Sequence, residues 1–418
     1  MLDPKYVREN KKLVEENLKK RGFKVSFLAN WLNLDEKRGK ALAQVNQLRE
    51  ERNQLTEKFK KGKPDEKEAQ KARKVREEIQ SLEKELSLIE AKWQEALFQL
   101  PNILADDVPS GKDDGENVEV KTWGEKPKFD FDPKDHVDIG ERLGIIDIKR
   151  AGKVSGPRFG YFKGDGALLE LGLMWHAFAK LAKKGFVPVI PPVMTKKETE
   201  RGLGYMEHGG WDNAYLFEKD GLVLVPSSEH SVIPMHKDEV LEEKELPKRF
   251  VNFSTCFRRE AGAYGKDTRG LFRVHQFNKV EMNVYTFPDF EVSDKECSFL
   301  LSLEEELMQE LGLSYRVMFS CGGDEPFPNR RMYDLETWFP GQGKYRETQS
   351  CSNCADFQTR RLNIRAKTKE GNRFVHALNA TLVTDRAVLA ILENYQQKDG
   401  SVLVPSVLQQ YLGKKVIK

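Results

Sequence analysis

FRREAGAYGKDTRGLFRVHQFNKVE, residues 257–281, is the stretch whose reading decides the fold. The chain enters it through the apolar run Phe250-Val251-Asn252-Phe253 and leaves it along Phe272 to Val284, apolar at alternate positions. That pattern predicts two strands joined by a long loop holding Gly262, Gly265, Lys266, Asp267 and Gly270. On a strand, Arg258 and Glu260 stand two positions apart and share a face. A guanidinium can grip a phosphate through two N–H donors while a carboxylate accepts from an amino group, so the pair suits an aminated base at one end and a phosphate at the other. Taken bare, the same pair also fits an ordinary ion pair on a strand face.

Working outward, 418 residues at 39% hydrophobic can bury a large core, and the length predicts two or three domains. Charged residues make up 32% but nearly cancel to +3, so any nucleic-acid surface must be local rather than global. Five cysteines are an odd number, which fits a reduced compartment better than a disulfide scaffold. The opening MLDPKYVREN is charged and lacks an apolar core, and no apolar run approaches a membrane span; a soluble, cytoplasmic protein is expected.

Residues 1 to about 30 read as short helices ending near Gly22. Beyond them Leu34, Ala41, Val45, Leu48, Leu55 and Phe59 fall on one three-and-four frame, with Arg38 and Arg52 as charged exceptions. After the turn-forming Gly62-Lys63-Pro64-Asp65, a second frame runs through Ala72, Val75, Ile79, Leu82, Leu86, Ile89, Trp93, Ala96 and Leu100. Two such arms make an antiparallel coiled-coil hairpin, each arm roughly 40 Å long. Its tip is basic, with Lys58, Lys60, Lys61, Lys63, Lys67, Lys71, Arg73, Lys74 and Arg76 outnumbering the local acids. A solvated helical face and a phosphate-contacting surface both fit that composition.

Pro101 to about Pro133 has the composition of a linker, with one short strand at Asn117–Trp123. From His136 helices and strands alternate. Ala167–Lys184 reads as an amphipathic helix, followed by the strand Phe186–Ile190 and a proline pair; Leu222–Pro226 is a strand feeding Ser227-Ser228-Glu229 and a helix His230–Leu241. Those three polar residues could cap that helix or bind an ammonium group. Cys351-x-x-Cys354 invites a metal reading, but a structural zinc needs four ligands and no second pair is present, so no zinc is expected. His275 reads as packing within a strand, and Gly262–Lys266 lacks the spacing of a phosphate-binding P-loop.

The run FRREAGAYGKDTRG-x-FR-x-HQF-x-KVE resembles motif 2 of the class II aminoacyl-tRNA synthetases, in the form carried by seryl-tRNA synthetases. Ala167–Ile190 with its prolines resembles motif 1, the dimer interface of that class, and His376–Arg386 with the helix Ala387–Asn394 resembles motif 3. The resemblance extends over nearly the whole chain, including Tyr333–Cys354 and the closing DGSVLVPSVLQQYLG. It implies an α+β fold: an N-terminal antiparallel coiled-coil hairpin, then a class II synthetase catalytic domain built on an antiparallel sheet flanked by helices. The implied boundaries are a tRNA-binding helical domain with its arm at 1–105, a linker at 106–135 and the catalytic domain at 136–418.

The implied activity is ATP-dependent activation of L-serine and its transfer to tRNA(Ser), with tRNA(Sec) a further acceptor. Arg258 and Arg386 would be catalytic, on the α- and γ-phosphates. Arg259, Glu260, the Val274 backbone, Phe277, Glu347, Thr348, Gln349 and Ser350 would surround ATP, with Glu347 and Ser350 also contacting Mg2+, an ion that prefers such oxygens. Ser227, Ser228, Glu229, Glu281 and Thr381 would take serine. The arm would meet the long variable arm of the tRNA, and residues 261–270 its acceptor end, in a homodimer. Three departures stand out: Ser227 replaces a threonine, Gln349 a small residue, and Asn379–Arg386 reads one residue short, which would shift Arg386 relative to Thr381. A paralogue that loads a carrier protein and a non-catalytic tRNA-binding protein are the competing readings.

Overall fold

A computed structural model describes residues 1–62, 64–261 and 270–418, with the backbone alone at position 61. Lys63, and the glycines, Lys266 and Asp267 of the motif 2 loop up to position 269, lie outside the described residues. The chain divides into two compact units, Met1–Pro101 and Asn102–Lys418.

In the first unit α1 (Pro4–Glu9) and α2 (Lys11–Lys20) precede α3 (Ser26–Lys61) and α4 (Glu66–Phe98). The last two, of 36 and 33 residues, pair along their length. Each is about 50 Å long, more than the apolar frames alone predicted. The frames meet as expected: Ala41 and Val45 pack on Leu86, and Leu55 on Val75 and Ile79. The charged exception Arg38 lies 5.0 Å from the Trp93 ring centre and pairs with Glu90 at 3.0 Å, so its stem and charge are both used. The turn closes because Asp65 accepts from the Glu68 N–H at 2.7 Å while the Glu68 carboxylate accepts from the Asp65 N–H, a reciprocal cap.

The second unit is built on β1 (Val118–Trp123), β2 (Val187–Val189), β3 (Lys248–Phe257), β4 (Gln276–Thr286), β5 (Tyr315–Phe319), β6 (Arg331–Phe339), β7 (Lys344–Ala355) and β8 (His376–Thr384). They form one eight-stranded sheet in the order β1-β5-β6-β7-β8-β4-β3-β2. Every pairing is antiparallel except that of β2 with β3. Helices α5 (His136–Arg142), α6 (Asp165–Lys183), α7 (Phe290–Glu310) and α8 (Asp385–Asn394) accompany it. Leu169 and Leu173 of α6, Leu300 and Leu307 of α7, and Val388 and Ile391 of α8 share one core with Val280, Met282 and Val284 of β4. Strand alternation then turns Lys279, Glu281 and Asn283 to the opposite face.

Three local expectations change. The strand expected from Phe272 begins only at Gln276, and β3 ends at Phe257, so Arg258 and Glu260 lie beyond it. The helix expected over His230–Leu241 is one turn, Glu229–Val232, followed by a 3-10 turn at Ile233–His236; Pro234 has no N–H to continue it. The stretch with linker composition is stitched to the body. The Asn102 side-chain amide donates to the carbonyls of Pro328 and Cys354, both at 2.9 Å, β1 pairs with β5, and the Lys134 N–H donates to Gln396 at 2.8 Å.

Candidate active site

Two interruptions of the sheet shape the site. Between β6 and β7 the register skips Thr348, and between β4 and β8 it skips Leu382, so each strand carries one residue without a partner. Such bulges re-aim the neighbouring side chains. Both are satisfied locally: the Thr348 hydroxyl donates to Leu335 O at 3.2 Å, and the Gln349 amide donates to Leu382 O at 2.7 Å. A small residue at 349 could not reach that carbonyl, which accounts for the glutamine in this run. Residues 347–350, Thr381 and Thr384 consequently face one hollow.

That hollow is walled also by Arg258, Glu260, Val274, Phe277, Lys279 and Arg386. A neighbouring space of about 1540 Å³ shares Arg258, Glu260, Arg273, Lys279, Glu347, Ser350 and Arg386, and adds Tyr205, Ser227, Glu229, His230 and Asn379. The two are lobes of one cleft. Arg258 donates to Pro226 O at 3.2 Å and lies 5.1 Å from the Phe277 ring centre. Glu260 adopts a left-handed backbone, φ 52, and its carboxylate accepts from Arg273 at 3.3 Å. It therefore reaches the same cavity as Arg258 through a turn rather than through strand alternation. Arg386 stays on both walls despite the short motif 3: it donates to Glu347 O at 2.9 Å, pairs with the Glu347 carboxylate at 3.3 Å, and lies 4.5 Å from the Phe272 ring centre.

The electrostatics favour a polyanion with an acid held nearby. Half of the Glu347 side chain faces the cleft. The partial desolvation there raises its pKa, but Arg386, Arg258 and Arg273 outweigh that and leave it below the ordinary carboxylate value. Burial, reinforced by Glu170, pushes the Asp385 carboxyl well above its ordinary value.

In the larger lobe Glu229 is buried and accepts from the Tyr205 hydroxyl at 3.0 Å and the Gln358 amide at 2.8 Å. The Ser227 hydroxyl accepts from Lys279 at 3.2 Å. Glu281 sits behind the wall, ion-paired with Lys279 and accepting from Thr381 at 3.4 Å. Ser228 and Arg259 line neither lobe: Ser228 is fully buried, and the Arg259 N–H donates to Asn213 O at 2.9 Å. Sequence reasoning passed over Lys279, whose burial lowers its pKa to about 8. Its position two residues before Glu281 on one strand was the available signal. Nothing local marked Tyr205 or Gln358, whereas Arg273 and Asp385 lie within the motif 2 and motif 3 stretches without having been singled out.

Cys351 and Cys354 are free, buried thiols with different surroundings. Cys351 lies 3.6 Å from Cys297, and Cys354 donates to Asn329 at 3.4 Å. His275 is spent on Arg258 O at 2.9 Å and packs against Phe159.

Residues 1–104 match the seryl-tRNA synthetase N-terminal domain, and residues 215–395 the tRNA synthetase class II core domain (G, H, P, S and T). The chain is 45% identical to the serine–tRNA ligase of Thermodesulfovibrio yellowstonii over 100% of both chains. It is 43% identical to that of Thermococcus onnurineus, over 100% of this chain and 97% of the relative. The crystal structure of seryl-tRNA synthetase from Pyrococcus horikoshii complexed with ATP matches with TM-score 0.95 at 41% identity, over 100% of this chain and 99% of the other. With an α+β fold, two matching domains and relatives aligned end to end, the chain belongs to the seryl-tRNA synthetase family of class II aminoacyl-tRNA synthetases, the serine–tRNA ligases.

Proposed function

We propose that this chain joins L-serine to tRNA(Ser) in two steps at the cleft described above. The observation that carries the reading is that Arg258 and Arg386 both line both lobes, with Phe277 beneath Arg258. In the first step a serine carboxylate oxygen attacks the α-phosphorus of ATP and pyrophosphate leaves with the electron pair of the broken P–O bond. The nucleophile is already an anion, so catalysis reduces to alignment and to stabilising charge on phosphorus and leaving group. Arg258 serves the α-phosphate and Arg386 the γ-phosphate. Phe277 stacks on adenine, and Glu260 accepts from its amino group. Arg259 is assigned to ATP by family pattern alone.

Glu347 and Ser350 offer an anionic carboxylate and a hydroxyl on the wall shared by the lobes, a donor set that suits Mg2+. Bound with ATP, the ion would offset charge on the phosphates. Serine occupies the larger lobe, its ammonium facing Glu229, with Ser227 and Lys279 around its hydroxyl and carboxylate, and Thr381 approaching from the wall of the smaller lobe. Glu281 acts through Lys279 and Thr381, and Ser228 through the turn it helps to build. A site that hydrogen-bonds a substrate hydroxyl rejects alanine, which would leave buried groups unpaired.

In the second step a terminal ribose hydroxyl of the tRNA attacks the adenylate carbonyl and AMP leaves. The arm is the surface for the tRNA variable arm: Lys58, Lys67, Arg73, Lys74 and Arg76 are exposed, while Lys60 and Lys71 are paired with Glu57 and Glu51. A second copy of the chain covers the apolar groove formed by Leu171, Met174, Trp175, Phe178, Ile190 and Phe253, where Leu171, Trp175 and Ile190 are 60–71% exposed. No helix among the described residues is long and apolar enough to cross a membrane, and a role in translation places the protein in the cytoplasm.

ATP–pyrophosphate exchange across the twenty amino acids, followed by charging of total tRNA, tests this function. Serine-dependent exchange and seryl-tRNA formation are expected. Exchange without charging would point to a carrier-protein ligase, and no exchange to a binding protein.

A further inference from the structure

We propose that His136 and Glu393 form a positioning relay that fixes the nucleotide wall from outside the cavity, by tying helix α8 to the backbone at Leu271. The proposal rests on the nucleotide reading of the smaller lobe given above. Arg386 and Glu393 lie seven residues apart on α8, two turns along one face. Arg386 looks into the cleft, whereas Glu393 is fully buried and, like His136, lines neither lobe.

Glu393 collects donors from two other segments. One oxygen accepts from the His136 N–H at 3.1 Å and from Gln342 at 3.2 Å and lies 2.8 Å from His136 Nδ1; the other accepts from Gly341 N–H at 3.0 Å. On the far side of the imidazole, Nε2 lies 3.4 Å from Leu271 N. A carboxylate can only accept and a backbone N–H can only donate. His136 therefore carries its proton on Nδ1 and offers Nε2 as an acceptor, a two-sided role that no apolar residue could fill. The approach is close: Gly270 has φ +100, and a Cβ there would stand 2.6 Å from His136 Nε2.

The circuit closes at the next residue. Phe272 O accepts from Arg386 Nε at 3.4 Å, and the Phe272 ring lies 4.5 Å from the Arg386 guanidinium and 3.7 Å from that of Arg346. Arg346 in turn donates to Gln342 at 2.7 Å, returning to the turn that Glu393 holds. Leu271, Phe272 and Val274 are wall residues of the nucleotide lobe. Held at both ends of one helix, that wall keeps its distance from Arg386, and small misplacements of positioning groups are costly in rate.

Two substitutions separate the halves of the imidazole. His136→Asn keeps a donor near Nδ1 for Glu393 but is too short to accept from Leu271; His136→Gln keeps an acceptor near Nε2. We expect His136→Asn to weaken ATP about fivefold, the size of one net hydrogen bond, both in KM for ATP during exchange and in Kd by equilibrium dialysis. Its KM for serine should stay within about twofold, a shift small on the scale of one hydrogen bond, even though the buried Leu271 N–H left without its acceptor lowers Tm. His136→Gln should restore most of the ATP affinity. Unchanged ATP affinity in His136→Asn, or a parallel loss for ATP and serine in step with Tm, would overturn the relay and leave His136 a packing residue. Wild-type protein that binds ATP but shows no serine-dependent exchange would sink the activation reading instead, while the dialysis constants still decide the relay. Wild-type protein that binds no ATP would end both.

Discussion

Lys279 stands where the two lobes meet, with Glu281 behind it and Ser227 beside it. Its folded pKa of about 8 lies below the ordinary 10.5, so between those values the unfolded chain binds the extra proton. Stability of wild type relative to Lys279→Met should therefore climb as pH rises from about 8 towards 10.5, and be flat below; urea midpoints across that range check it. A difference that falls with rising pH would mean that the ammonium is favoured by the fold. Arg258→Ala should cost about 10²–10³ in serine-dependent exchange, as loss of one preorganised charge stabiliser does. An active variant would remove Arg258 from the phosphate. At this scale the chain was partly legible. Arg258, Glu347 and Arg386 stood out because their motifs are long and specific, and Glu260 lines the same cleft although its strand was not there. Tyr205 and Gln358 are brought in by distant segments, and no local pattern marks a residue that acts across the fold.

Among the elements, the helical hairpin could be read almost residue by residue, because a three-and-four repeat records burial directly in the sequence. The sheet's order is a property of non-local pairing, and the two bulges at the site leave no periodic trace. Yet Gln349, out of place as a sequence departure, makes sense beside the Leu382 carbonyl that the β8 bulge frees. Gln349→Ala should leave that buried carbonyl without its donor, at a cost of about 1–3 kcal/mol. A lower urea midpoint at unchanged m-value would report it. If stability holds, another donor serves Leu382. The short spacing from Asn379 to Arg386 is likewise no defect: β8 carries one unpaired residue and still delivers Arg386 to both lobes.

For the whole molecule, exposed Trp175 at the apolar groove is the position where a charge should matter most. Trp175→Glu is expected to convert a dimer into monomers in sedimentation velocity; an unchanged dimer would move the interface elsewhere. Removing the arm tip between Lys58 and Arg76 should spare serine-dependent exchange and cripple charging, and unimpaired charging would take the tRNA off that surface. A different outcome follows from the way β1 lies along β5. That apparently loose stretch covers Tyr315, Val317, Met318 and Phe319, all under 10% exposed. A truncated protein starting at 136 would bare this apolar border with its backbone N–H and C=O groups, and such borders recruit one another into aggregates. One starting at 102 keeps its own sealing strip, so where the chain is cut decides whether the remainder stays dispersed.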